Sequence, residues 1–522
     1  MNTAPRYLTL TLMSLLLTAG AVSLAPTAAH AFCGFYVGGA GVNLYNNATQ
    51  VVLMRDGTRT VLSMQNNYQG PLDDFAMVVP VPVVLMEDHV KTLDKTIFDK
   101  VDQLSAPRLV EYWELDPCDP GFDDRFDSAA GGPPQADNGG PDENGVVVEA
   151  EFKVGEYEIV ILSASESTGL DTWLRTNDYN IPEGAEQTLR PYVDGGMYFF
   201  VARIIADEVR YEDGRAILSP LRFHYDTDTF QLPIRLGLLS AQEQQDLLVY
   251  ILARGQRYEM ANYPNVTIPT NINVLDAVRN DFGAFYNELF ERTLEVNPGA
   301  VVTEYAWDAS TCDPCPGPTL DANDIATLGA DVVAGAGEPQ EWGSGWVLTR
   351  LHARYGADDI GEDLVFQAAE AIAGGREFIT DDGELEEGAV PYQFNNFQGR
   401  YAIRHAWEGE VACDDPQYGR WGGPPGQEWD FSGNPAPASS PNTSGEDYRT
   451  QEAALEELVA EAIPELGVVP GQRPAGGDGE TIAGDANGTS SGDSGCATAP
   501  GSTDAPIALL AILAFVVAWR RR

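Results

Sequence analysis

Lysine is nearly missing from this 522-residue chain: Lys91, Lys95, Lys100 and Lys153 are its only four. Basic residues number 31 against 79 acidic ones, a formal net charge of −48. A surface of that sign repels a phosphate backbone, so no nucleic acid is expected as a partner. Histidine is scarce at five, and there is no H-E-x-x-H, no P-loop and no strand-linked G-x-G-x-x-G. The zinc-protease and nucleotide-binding chemistries that need those spacings are therefore not encoded in recognisable form. Six cysteines include a single C-x-x-C, whereas a zinc ribbon normally uses two. What is present is ordinary for a folded protein: 43% hydrophobic and 10% aromatic residues, enough to bury a core.

Each end of the chain carries an apolar run. Near the N-terminus, Arg6 precedes the run Leu8–Leu17, and Ala29-His30-Ala31 matches the small-x-small rule for secretory cleavage. This predicts a signal peptide over 1–31, cut between Ala31 and Phe32. Cys33 lies just past the cut, but His30-Ala31-Phe32 is not the small or aliphatic set of a lipoprotein processing site. At the other end, 505–519 is apolar and is followed by Arg520-Arg521-Arg522. Fifteen residues cover about 22 Å as a helix, short of a hydrocarbon core of roughly 30 Å. A short span stopped by arginines fits a segment held with its charges on the cytoplasmic side. With Cys496 upstream in a small-residue stretch, the segment 496–522 resembles the myxobacterial C-terminal sorting tail. That resemblance implies a processing protease acting near Cys496, attachment to the membrane through the tail, and display at the cell surface, with Cys496 the candidate for processing or lipidation.

Between the ends, 78 acids face 27 bases. Such a surface is soluble and self-repelling, and adaptation to salty surroundings accounts for it more simply than a specific partner. Residues 50–54, 60–64 and 75–79 read as short strands with a turn at Asp56-Gly57, and Leu93, Ile97, Val101 and Leu104 form a helical stripe. Residues 116–145 are a loop or linker rich in Asp, Gly and Pro. Strands are expected at 146–152, 157–162, 197–205, 220–225, 247–252, 346–354 and 400–407. Helices are expected around 168–177, along 275–294, at Asp363–Ala373 and, in acidic form, at Glu446–Ile463. Hairpin-like strands mixed with separate helices argue an α+β fold. The ectodomain runs over 32–413, with sub-units at 32–118, 146–298 and 299–413. A linker follows at 414–495.

Gly70-Pro71-Leu72-Asp73-Asp74-Phe75-Ala76-Met77-Val78-Val79-Pro80-Val81-Pro82, Phe98-Asp99-Lys100-Val101, Thr172-Trp173-Leu174, Pro191-Tyr192-Val193, Gly196-Met197-Tyr198-Phe199 and Leu348–Tyr355 together look like the bacterial domain-of-unknown-function family numbered 2330. The resemblance covers most of 32–413 and implies a shared fold unit and an export signal, with no mechanism attached. The family start commonly pairs two cysteines, whereas Cys33 is followed by Gly34-Phe35-Tyr36-Val37-Gly38.

Cys312-Asp313-Pro314-Cys315 is crowded by Pro314, Pro316 and Pro318, so it reads as a loop closed by a local disulfide rather than a thioredoxin-like pair. Cys33, Cys118 and Cys413 then leave one longer bridge, its connectivity open. Gly488-Thr489-Ser490-Ser491-Gly492 matches a nucleophile elbow but sits in a linker without its strand and helix. His352 and His405 fall in candidate strands beside arginines; a paired-histidine site competes there with simple packing in a sheet. The acidic stretches 119–127 and Asp321-Ala322-Asn323-Asp324 lack the ligand order of a calcium hand and read as solvated charge, with calcium the one cofactor worth testing. The reading is a surface-displayed α+β protein of the envelope with a binding or structural role. Its rivals are an exported hydrolase-type enzyme and a calcium-dependent adhesion module.

Overall fold

The computed structural model describes residues 35–37, 45–69, 76–118, 148–177, 179, 181, 184–212, 215–240, 244–333, 345–356, 361–378, 380, 385–424 and 454–472. The signal segment with Ala31 and Phe32, Cys33, the acidic stretch 119–127, the serine motif 488–492, Cys496 and the span 505–519 lie outside the described residues. Among those described, no helix is long and apolar enough to cross a membrane. All described residues belong to one compact unit, 1–473.

The fold is α+β, built on a mixed sheet of 11 strands. Its centre runs in the order Val301–Asp308, Trp346–Tyr355, Gln245–Arg254, Tyr45–Asp56, Arg59–Gln69, Leu221–Asp226. All three sequence segments thus contribute strands to one sheet. Tyr45–Asp56 and Arg59–Gln69 form a hairpin whose two-residue turn places Gly57 at φ 55°, a conformation only glycine takes cheaply. The run Val51-Val52-Leu53-Met54 is apolar at every position because both faces of the sheet are covered. Val51 and Leu53 meet a second sheet, whereas Val52 and Met54 pack under helix Thr96–Ser105.

That second sheet is antiparallel, in the order Phe35–Val37, Ala76–Val81, Tyr198–Ile204, Tyr157–Leu162, Val148–Val154. Its strands alternate as the pleat requires. Met77, Val79, Phe200 and Ile161 face the large sheet, while Val78, Phe199, Val201 and Leu162 face helices Ser167–Thr176 and Ala185–Asp194. The layers are therefore helix pair, five-stranded sheet, large sheet, and a second helix layer that includes Thr96–Ser105. Burying each large apolar side chain in these interfaces contributes about 1.5–3 kcal/mol.

A third, four-stranded sheet joins Ile272–Asn273, Arg400–His405, Arg108–Glu114 and Trp421–Gly422. It packs with helix Phe282–Val296 through Leu109, Phe285, Tyr401 and Ile403. Beside it Gly375 sits at φ 67°, where an added Cβ would lie 1.9 Å from the Gln398 carbonyl oxygen, so no other residue fits that approach.

Two expected helices are corrected. Asp363–Ala373 forms strands Leu364–Ala369 and Ile372–Gly374. Leu364 and Phe366, two apart, are both buried, and the strand pairs with Arg257–Met260, a partner about a hundred residues away that local spacing cannot reveal. The described part of Glu446–Ile463 holds a short 3-10 turn, Leu455–Glu457, rather than an α-helix. Leu455, Val459 and Ile463 do point one way, into the core under Phe282–Val296. The backbone, however, is drawn off by bridges from Val459 to Val274 and from Ile463 to Val468, and Pro464 follows directly. The stripe along 275–294 begins as a 3-10 turn, Asp276–Asn280, and becomes α-helical only from Phe282.

Candidate functional site

Strand Trp346–Tyr355 carries Leu348, Arg350 and His352 at alternate positions, hence on one face. That face lies under the helices, and the two charged residues are buried, Arg350 completely. Their chief partner, Glu304, is the extra residue of a β-bulge: Thr303 pairs with Leu351 and Tyr305 with Arg350, leaving Glu304 between. Arg350 Nε donates to Glu304 Oε2 at 2.5 Å and Nη1 to Asp102 Oδ1 at 2.5 Å. His352 Nδ1 lies 2.7 Å from Glu304 Oε1, and Nε2 lies 3.2 Å from Asp246 Oδ1. Tyr286 donates its hydroxyl to Glu304, and Arg354 Nε donates to Asp246 at 2.8 Å.

Burial pushes the Glu304 carboxyl up, but the charges of His352 and Arg350 with the hydrogen bonds of His352 and Tyr286 overcome it and hold the group at about 2. Burial pushes the His352 imidazole down, and Glu304 and Asp246 outweigh it, raising the group above its ordinary value. With His352 protonated, three cations face three carboxylates. The ring of Phe290 stacks on His352 at 4.0 Å and closes the array. The chemistry of these groups is directed at one another, and breaking one member leaves an uncompensated buried charge.

His352 and His405 do not form a common site: each has its own partners in a different sheet. The histidine pair that the fold assembles is His89 with His224, ring centroids 4.9 Å apart. Burial, then the neighbouring His89, pushes His224 down to about 4.

The open site lies at the third sheet. Arg108–Glu114 and Arg400–His405 pair in parallel, with Trp113 opposite His405 and Tyr112 opposite Arg404. The Trp113 indole and His405 imidazole stack at 4.7 Å. Glu111, two residues before Trp113, receives His405 Nε2 at 2.8 Å and a bidentate grip from Arg279 at 2.8 Å on each oxygen. The Arg279 hydrogen bonds, foremost, hold the Glu111 carboxyl below the usual carboxylate range. Glu114 ties down the returning chain, accepting from Trp407 N at 3.0 Å and Gly419 N at 2.8 Å. The Cys118–Cys413 disulfide closes the same segment.

Together these residues wall a cleft of about 640 Å³ lined by Trp113, Glu114, Arg404, His405, Trp407 and Glu408. Arg404 pairs with Glu377 at 3.0 Å and donates through Nε to Asn273 Oδ1 at 2.8 Å. Its guanidinium lies over the rings of Tyr112 and Trp421. Among the described residues, Arg404 Nη1 and Trp407 Nε1 are buried donors with no acceptor. The sequence singles out His405 but not the cleft around it, because the two strands are nearly three hundred positions apart; Trp407 and Trp421 in a Gly-rich stretch are a further signal.

The cysteines form two bridges, Cys312–Cys315 and Cys118–Cys413. The first loop is fastened to the body: Arg108 donates to the Pro314 carbonyl at 2.6 Å, and Gln103 to that of Pro316 at 3.2 Å. Asp321 is used as a helix cap, accepting from Asn323 N at 2.8 Å and Asp324 N at 3.0 Å, while Lys100 pairs with Asp324. Among the described residues no group of three or more His, Cys, Asp or Glu is arranged to hold a metal.

A family model described as "Uncharacterized protein conserved in bacteria (DUF2330)" matches residues 27–367. No curated protein matches. Among solved structures, that of baculovirus P35 aligns over 42% of this chain and 67% of its own at 14% identity, with a TM-score of 0.22. A similarity that low carries no argument about function.

Proposed function

On the premise that this chain belongs to the DUF2330 family of uncharacterized bacterial proteins, we propose that it is an exported protein, displayed at the cell surface, with a binding or structural role in the envelope. The observation that carries this reading is the Cys118–Cys413 bridge, which joins residues 295 positions apart at the rim of the third sheet. Disulfides persist in oxidising compartments and are rare in the reducing cytosol. The predicted leader ending at Ala31 supports the same address, and so does the tail from Cys496. In this reading the tail meets the membrane through 505–519 and is presented to a processing protease. The residues best suited by type to acid–base work, Glu304, His352 and Asp246, are 0%, 1% and 2% exposed and paired with one another, which favours a structural assignment for them.

Labelling intact cells with a membrane-impermeant amine reagent, followed by fractionation, tests the proposal. The chain is expected among labelled envelope proteins with Cys118 and Cys413 joined. Recovery in the cytosol, unlabelled and with both thiols free, would overturn it.

A further inference from the structure

We infer that the cleft between Trp113 and Trp407 is a binding site for a neutral saccharide. The inference rests on the reading of the chain as a surface binding protein and names the ligand class for it. The cleft volume of about 640 Å³ is of the size that receives small ligands, roughly 300–1,000 Å³. Its walls offer indole rings, and the apolar C–H face of a sugar ring packs on such a surface while its hydroxyls keep their polar contacts.

Charge narrows the class further. Arg404 and the buried Arg400 share Glu377, and Arg279 and His405 share Glu111. Glu114 and Glu408 add two more carboxylates to the lining. An anion would therefore meet excess negative charge, on a chain whose net charge is −48. A cation is poorly matched as well, because the groups lacking partners, Arg404 Nη1 and Trp407 Nε1, are both donors. Leaving such donors unpaired is unfavourable, a cost that a ligand oxygen removes. A neutral molecule with hydroxyl oxygens and an apolar face meets all three conditions.

Trp407 Nε1 is shut off from solvent, so pairing it with a ligand oxygen requires the indole to turn. Gly409 sets where that ring rests: a Cβ there would lie 2.3 Å from Trp407 Cζ2. Gly409→Ala therefore displaces the ring without touching its chemistry.

The full chain, purified in a zwitterionic detergent free of sugar, is titrated with neutral gluco-, manno-, galacto- and N-acetylglucosamine oligosaccharides while indole fluorescence is followed. Oligogalacturonate serves as the acidic arm. Saturable binding of at least one neutral series is expected, weakened at least tenfold by Trp407→Ala and by Gly409→Ala. Trp407→Phe, which keeps a ring but removes the N–H, should weaken it severalfold and stands in if the alanine variant does not fold. Tyr211→Ala, at an exposed tyrosine in a separate two-stranded sheet, should leave it unchanged. No saturation by any neutral series, binding of the acidic arm alone, or neutral binding indifferent to Trp407→Phe and Gly409→Ala would each overturn the inference. The labelling experiment reads only where the chain resides, so the two can fail separately.

Discussion

Arg350 and Glu304 form an ion pair in which both side chains are 0% exposed, and the bulge at Glu304 is what turns its carboxylate toward the arginine. Glu304→Gln keeps the shape of the side chain and removes its charge, leaving Arg350 and His352 with less compensation than burial demands. A loss of about 3–5 kcal/mol is expected in urea unfolding, the range for breaking a buried pair from one side. Exposed pairs such as Lys153–Glu208 should give about 1 kcal/mol or less when broken. Equal losses for the two variants would refute the distinction.

The pH dependence of stability has contributions of opposite sign from two histidines. His352 is raised in the fold, so its contribution is complete below the unfolded value of about 6.5 and is lost as pH climbs through the folded value. His224 is lowered to about 4, so its contribution is complete above about 6.5 and is lost as pH falls toward 4. Glu304, held at about 2, adds a second acid loss between about 4.5 and 2. Melting temperatures across pH 3–9 should show His224→Gln flattening the decline between about 6.5 and 4, and His352→Gln flattening the alkaline decline. Unchanged slopes in both variants would contradict this assignment.

The two disulfides should differ in effect. Cys118–Cys413 closes a loop across 295 positions, whereas Cys312–Cys315 spans 3. Restricting the unfolded chain gains more from the longer loop. Replacing Cys118 and Cys413 with serine is expected to cost about 2–4 kcal/mol, and replacing Cys312 and Cys315 about 2 kcal/mol at most. Denaturant unfolding of the two double variants decides the order, and non-reducing peptide mapping of exported material checks both linkages.

The apolar stretch 505–519 is short for a permanent anchor, and each terminal arginine costs roughly 2.5–3.5 kcal/mol to place at mid-membrane. Mature surface protein should end near Cys496 and lack Arg520–Arg522. Cys496→Ala should leave the uncut form in the inner membrane, while Cys312→Ala leaves sorting intact. Intact-mass analysis reads the result; a C-terminus still ending Trp519-Arg520-Arg521-Arg522 would indicate a simple anchor.

Much of the fold is legible in the sequence where local pattern and final environment agree. The strands at Tyr45–Asp56, Tyr157–Leu162 and Trp346–Tyr355 and the helix at Thr96–Ser105 follow from period-two alternation, continuous β-branched runs or a three-and-four stripe. Ala185–Asp194 was hidden by Pro191, which reads as a helix breaker but stands seventh in a ten-residue helix that packs on the five-stranded sheet. Phe366 shows the limit from the other side: its neighbours suit a helix as well as a strand, and pairing with Arg257–Met260 decides between them.

By itself the sequence determined the α+β class, the excess of acid over base, the apolar ends and the proline-crowded Cys312–Cys315 loop, because each is a property of composition or of neighbours a few residues apart. Only the tertiary structure decided which charges are buried and which residues share a cleft. Arg350, Glu304 and Asp102 come from two strands and a helix, Asp102 some two hundred positions or more from the others, and Trp113 meets His405 across a parallel pairing. The physical reason is that hydrogen-bond ladders and core packing reward contacts between distant segments, and the identity of those partners is not written in any local stretch of chain.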